Sequence, residues 1–295
     1  MITHHFVNQE TMSRLRNVPT EPIHIAWPNV LVNAKVHQYQ KTTSDTALSI
    51  ITNHMGTCRL KLDGRSFKVC ESTLLILNTH QNLRYEIESE KEVETCNIHF
   101  NAVFVQQVLN TMIHNDETLL DDPFADKPHS PQFINQLHYK ALAFSKILTR
   151  QHTSEEMFLD LLLHMLQIEQ QSNLKIKNIK ATKPSVRKEL YQRICLAKDY
   201  IYGYYDHPWI LDELCHKIGM SKYHFLRVFK DCFGISAYHM LKQVRLARAQ
   251  TLLQQTDLSI DEIAIHIGYE ETNSFFKAFK EAYATTPGAY RRHLK

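Results

Sequence analysis

Glycine is scarce in this 295-residue chain: there are seven, at 56, 64, 203, 219, 234, 268 and 288. So few exclude collagen-like and Gly-rich low-complexity sequence. No GxGxxG or GxxxxGK[ST] run occurs, so the common phosphate-cradling loops are excluded too and no cofactor motif is left. Where glycine is rare, each one marks a turn that needs it. CxxC pairs are also missing. The six cysteines, at 58, 70, 96, 195, 215 and 232, sit inside apolar segments. That usage predicts reduced, buried thiols in a cytoplasmic protein, not a disulfide or zinc framework. No apolar run reaches the length of a membrane span, and Met1–Glu10 has no apolar core of the signal-peptide kind.

What is present is globular: 43% hydrophobic and 22% charged. The length suggests two domains. The formal net charge of +3 is unevenly spread. Residues 183–295 hold 17 Lys/Arg against 12 Asp/Glu, and residues 1–182 hold 17 against 19. A basic C-terminal part points to a polyanion, with ordinary variation an equal explanation. Residues 29–100 read mainly as short strands: Val30–Val36, Leu48–Ile51, Thr73–Leu77, Arg84–Ile87 and Glu94–Phe100. Cys58–Leu62 and Arg65–Val69 flank Asp63-Gly64, a two-residue type I′ hairpin. This spacing predicts a small barrel or sandwich. Helical periodicity follows over Val103–Met112, Phe133–Leu148 and Met157–Ile168. These helices either dock on the barrel or pair with a second subunit. Residues 172–186 are polar and Lys-rich and read as a linker. The domains are therefore 1–171, a linker 172–186, and an all-helical 187–295.

The C-terminal part contains an internal repeat. Leu211–Ala237 and Ile260–Pro287 align with one extra residue after the second copy's glycine. Asp212/Asp261, Glu213/Glu262, Ile218/Ile267, Gly219/Gly268, Phe225/Phe275, Phe229/Phe279 and Lys230/Lys280 are identical pairs. Each copy reads as a helix, a tight turn at Gly and a second helix whose i, i+4 phenylalanines face the core. Ser221 is a good N-cap, and Ser259 with Glu262 is a capping box. This is the helix-turn-helix pattern, whose second helix can enter a major groove. One such pattern is weak; two in register are specific. Met240–Leu253 reads as one helix holding the units apart, and Leu190, Ile194, Ala197 and Ile201 mark a preceding helix. Arg245 and Arg248 on the linking helix are read as ion-pair formers.

On these residues the C-terminal segment resembles the DNA-binding domain of the AraC/XylS family of bacterial transcription regulators. The motif is dense in Ile263-Ala264, Ile267-Gly268-Tyr269, Phe276, Phe279-Lys280, Pro287, Tyr290 and Arg291, with Arg245, Ala249 and Leu252-Leu253 on the linking helix. Ala284 stands where that family usually has Gly, and Met240 where Tyr is usual. The resemblance places base contacts on Tyr223, Leu226 and Arg227, then on Thr272, Asn273, Phe276 and Lys277. Arg227 suits guanine and Asn273 adenine, each through two bonds. Lys222, Lys230, Lys280, Arg291 and Arg292 suit phosphates. A solvated helix face is the bland alternative for each lone cation, and core packing is the alternative for Phe276.

The N-terminal part resembles the same family's cupin-like regulatory domain more loosely, over Gly56–Tyr85. The overall class is then α+β: a cupin-like β-barrel with a helical dimerisation segment, and an all-α domain with two helix-turn-helix motifs. The resemblance implies double-stranded DNA, a small-molecule effector, a homodimer and a contact with RNA polymerase. It tilts the reading to a ligand-responsive activator. Two alternatives stay open: a constitutive DNA-binding regulator whose barrel only dimerises, and a metal-dependent cupin enzyme fused to a DNA-binding module. The second lacks support, because His37, His54, His80 and His99 are scattered, Leu83 stands where a barrel histidine is expected, and His4-His5 is at the free end. No catalytic or metal site is therefore expected. Arg59, Arg65 and Tyr85 are possible pocket residues, though alternation does not say which face points inward.

Overall fold

The computed structural model describes residues 28–113, 131–140, 142–149 and 154–294. The chain divides into two compact units, residues 1–172 and 173–295. His4-His5 lies outside the described residues.

The first unit is a nearly closed antiparallel β-barrel of seven strands. In chain order these are β1 (Val30–Thr43), β2 (Ser49–Met55), β3 (Cys58–Leu62), β4 (Arg65–Val69), β5 (Thr73–Leu77), β6 (Leu83–His99) and β7 (Leu137–Tyr139). The β3–β4 turn has φ 46° at Asp63 and 83° at Gly64, the two positive angles that a type I′ turn demands. β6 organises the barrel. One edge pairs with β1 along both halves, while the other meets β3 at Leu83–Glu86 and β2 at Glu94–His99. The expected strands Arg84–Ile87 and Glu94–Phe100 are the two halves of this one strand, and residues 89–92, Ser-Glu-Lys-Glu, between them have no partner in the β1 register.

Where β1, β2, β5 and the end of β6 lie side by side, the outer face of this sheet is apolar and is covered by three helices: α1 (Ala102–Ile113), α2 (Leu142–Thr149) and α3 (Ser154–Asn178). Leu31, Ile50, Ile76 and Ile98 from the strands meet Val105, Leu109, Phe144, Phe158, Leu161 and Met165 from the helices in one cluster. Alternate residues on the same strands point to the barrel interior, as a period of two requires.

Two expectations are corrected. The stretch Phe133–Leu148 is not one helix. The Asn78 side chain takes both the backbone N–H and the carbonyl of Phe133, at 2.7 and 2.8 Å, and Leu137–Tyr139 then pairs with β5. Backbone groups spent on the barrel cannot serve a helix, which begins only at Leu142. The linker 172–186 is also mostly helical. α3 continues to Asn178, with the Ser172 hydroxyl bonded to the Ile168 carbonyl at 3.0 Å and Lys175 and Lys177 in its last turn, where cations suit the helix dipole. The next helix starts at Pro184, a residue preorganised for a first turn. Only residues 179–183 connect the two.

The second unit continues with α4 (Pro184–Gly203), α5 (Leu211–Ile218), α6 (Lys222–Phe233), α7 (Ala237–Gln255), α8 (Ile260–His266), α9 (Thr272–Tyr283) and α10 (Pro287–Leu294). α7 packs on α4 and α6 towards one repeat, and on α8, α9 and α10 towards the other. Leu246, Ala249 and Leu253 of α7 join Ile263, Ile267, Phe275 and Phe279 in the core of the second repeat.

Candidate nucleic-acid interface

The two repeats match down to ring geometry. Phe225, Phe229, Phe275 and Phe279 are all fully buried. Phe225 meets Phe229 edge-on at 5.4 Å, and Phe275 meets Phe279 edge-on at 5.6 Å. The next contacts, Phe229–Phe233 and Phe279–Tyr283, are both at 4.6 Å. Burying this face of α6 and α9 leaves the opposite face of each to solvent.

Local chemistry fixes each turn. Gly219 ends α5 in the left-handed region at φ 63°, and Gly268 follows α8 at φ 85°. The Ser221 hydroxyl accepts the His224 N–H at 3.4 Å to open α6. Ser259 and Glu262 form the complete capping box of α8: the Ser hydroxyl accepts the Glu262 N–H at 3.2 Å, and the Glu carboxylate accepts the Ser259 N–H at 2.7 Å. Those bonds hold the Glu262 carboxyl below its ordinary range. Gly234 ends α6 at φ 75°, and Ala284 ends α9 at φ 56°. Ala284 therefore adopts the left-handed turn at the glycine's usual place.

The exposed face of α6 carries Tyr223, which is 76% exposed, Leu226, which is 43% exposed, and Arg227. The Arg227 guanidinium lies over the Tyr223 ring at 5.8 Å, so the two side chains are held together before any ligand arrives. On α9, Asn273 and Lys277 are exposed and Thr272 is half-buried in the first turn. Phe276 is half-buried and edge-on to the core ring of Phe275 at 6.2 Å. Lys230, Lys280 and Arg292 are exposed. Lys222 is exposed but paired with Asp212 at 2.5 Å. Arg291 is half-buried, and its Nε and Nη2 have no hydrogen-bond partner.

Arg245 departs from its expected role. Its Nε donates to the Tyr205 carbonyl at 2.7 Å and its Nη2 to the His207 carbonyl at 2.9 Å, so its bonds run to main-chain oxygens rather than to a carboxylate. Residues 204–207 carry no signal that would have revealed this.

In the barrel, Arg59 is exposed on the outer face and Arg65 is half-buried over the Phe67 ring at 5.0 Å. Tyr85 is buried, and alternation places it inward. Its hydroxyl lies beside the Cys58 thiol and the Asn97 side chain, and burial pushes it well above its ordinary range; Asn53 Oδ1 is a buried oxygen without a hydrogen-bond partner. The histidines are engaged separately: His54 with Asn33, His80 with Asp45, and His99 with the Ser49 hydroxyl at 2.7 Å. Burial, helped by Lys41, pushes His99 down to about 4. Among the described residues no group of three or more His, Cys, Asp or Glu is placed to hold a metal ion, and no helix is long and apolar enough to cross a membrane. None of the six cysteines is in a disulfide, and all are buried.

Residues 214–293 match the description "Helix-turn-helix domain", and residues 32–166 match "AraC-like ligand binding domain". The chain is 34% identical over 93 residues to the right origin-binding protein of Escherichia coli (strain K12), covering 32% of each chain. It is 35% identical over 83 residues to the probable transcription factor PqrA of Proteus vulgaris, covering 28% of this chain and 68% of that one. It is 33% identical over 88 residues to the HTH-type transcriptional activator RhaR of Klebsiella pneumoniae, covering 30% of this chain and 31% of that one. The chain thus spans about a third of the length of the first curated relative.

Proposed function

Because the chain belongs to the AraC/XylS family of transcription regulators, we propose that it binds specific double-stranded DNA through α6 and α9 and regulates transcription in response to a small molecule. The observation that carries this reading is the pair of matched repeats, each burying its aromatic face and presenting the other. Tyr223, Leu226 and Arg227 read one segment of the major groove; Thr272, Asn273, Phe276 and Lys277 read a second. Lys230, Lys280 and Arg292 hold phosphates. Lys222 and Arg291 do so only after rearrangement, Lys222 by leaving Asp212. Residues 187–295 form the DNA-binding domain, and residues 1–171 the effector-binding and dimerisation domain.

The buried polar side chains of Asn53, Tyr85 and Asn97 support an effector site inside the barrel, since a buried oxygen such as Asn53 Oδ1 needs a partner. A ligand that binds one state better than another shifts the population between them. The protein acts in the cytoplasm as a homodimer, activates by touching RNA polymerase, and is not an enzyme.

In vitro selection from random duplexes tests the central reading. The expected product has two short elements about 10 bp apart, one helical turn, for each protomer. Recovery of no common sequence, or a footprint confined to one groove segment, overturns it.

A further inference from the structure

α7 joins the two repeats and packs against both, its Leu246, Ala249 and Leu253 lying in the core of the second. Beside that packing runs a second, polar link between the repeats. Arg245, near the middle of α7, donates to the carbonyls of Tyr205 and His207 in the turn that leads into the first repeat. The same guanidinium lies over the ring of Tyr269, at 5.4 Å, in the turn of the second repeat. Gly268 makes this approach feasible. A Cβ there would lie 2.8 Å from the Tyr205 carbonyl oxygen and 2.8 Å from Arg245 Nη2, and the residue also needs φ 85°. The backbone of one repeat's entry turn thus abuts the backbone of the other's central turn, with Arg245 bonded to the first and stacked on Tyr269 of the second.

We infer that Arg245 is a positioning residue: the seam it forms with Tyr205, His207, Gly268 and Tyr269 fixes the spacing of the two recognition helices and hence the operator spacing the protein accepts. This rests on the DNA-binding reading above. One added base pair turns the second element by about 36° and moves it by about 3.4 Å, since ten make a turn of about 34 Å. A rigid pair cannot follow that change; a swivelling pair can.

The test uses the full chain and the selected operator, with the interval between elements lengthened or shortened by one base pair. Affinity is measured for the wild type, Arg245→Met and Tyr269→Leu, together with Tm. Wild type should lose about tenfold or more in affinity at either altered interval, the size of one lost base contact. Both variants should bind the native interval less tightly and show a flattened preference across intervals. Tyr269→Leu keeps an apolar side chain at the seam and guards against Arg245→Met failing to fold. A folded variant whose preference stays as sharp as wild type, or whose affinity falls equally at every interval, overturns the inference. So does a wild type indifferent to the interval, although the DNA-binding reading then survives. A wild type that selects no DNA overturns that reading instead.

Discussion

Ala284 holds φ 56° and ψ 12°, and its N–H bonds to the Lys280 carbonyl at 2.9 Å. The equivalent Gly234 makes the same bond to Lys230 at 2.8 Å. The turn is therefore preserved and the strain falls on the alanine Cβ, which costs about 1 kcal/mol in this region. Ala284→Gly is expected to raise stability by about 1 kcal/mol, offset in part by the greater freedom glycine gives the unfolded chain. Chemical denaturation of the full chain checks this, and a loss of stability counts against the strain. His99 gives a pH-dependent prediction. Burial lowers its folded pKa to about 4 from 6.5, so the unfolded chain takes up the proton first. The stabilisation is complete above the unfolded value and is lost as pH falls towards the folded one. Between pH 7 and pH 5 the loss should be about 2 kcal/mol. The melting of the N-terminal unit should follow that slope, and His99→Gln should flatten it.

At the scale of elements, the helix ends differ in how well they are tied. α8 has a reciprocal capping box, whereas α6 has one 3.4 Å cap bond and α9 has no side-chain cap at all. Ser259→Ala removes the cap hydroxyl and should cost about 1 kcal/mol, with Ser221→Ala costing less because its bond is longer. Urea titration of each variant orders the two, and the reverse order would count against the cap geometry. The same elements show what was legible in the chain. Asp63-Gly64, the repeated glycines and the paired phenylalanines were readable because each demand was local: a positive φ, or a side chain four residues away. Phe133–Leu148 looked helical because its apolar spacing suits a helix, yet Asn78, 55 residues earlier, claims the backbone of Phe133. Ser172–Asn178 looked like a linker because it is polar, although polar residues suit an exposed last turn. The Arg245 seam was hidden for the same reason as β7: its partners, 38 and 40 residues away, are main-chain carbonyls that leave no trace in composition.

For the molecule as a whole, the proposed contacts fall into two kinds that behave differently. Arg227→Ala should weaken binding by about 1–3 kcal/mol and relax preference at one position of the site. Lys230→Ala should weaken binding to all sequences alike and lower the slope of log K against log salt by about 1. Binding titrations over several salt concentrations separate the two, and an Arg227→Ala variant with unchanged sequence preference would remove it from the base-reading set. The charge count of the C-terminal part overstates what DNA would meet. Lys222 is held by Asp212, Lys242 by Glu281 at 2.6 Å, Arg193 by Glu189 at 2.7 Å, and Arg245 is turned inward to carbonyls. With these four of its seventeen Lys and Arg engaged, the C-terminal part would neutralise fewer phosphates of arbitrary duplex, and nonspecific affinity grows with that number. On the proposed reading it would leave wrong sites sooner and stay where base edges repay the breaking of Lys222 from Asp212. On that reading the single ion pair would act on the search more than on the grip, shortening each visit to a wrong address.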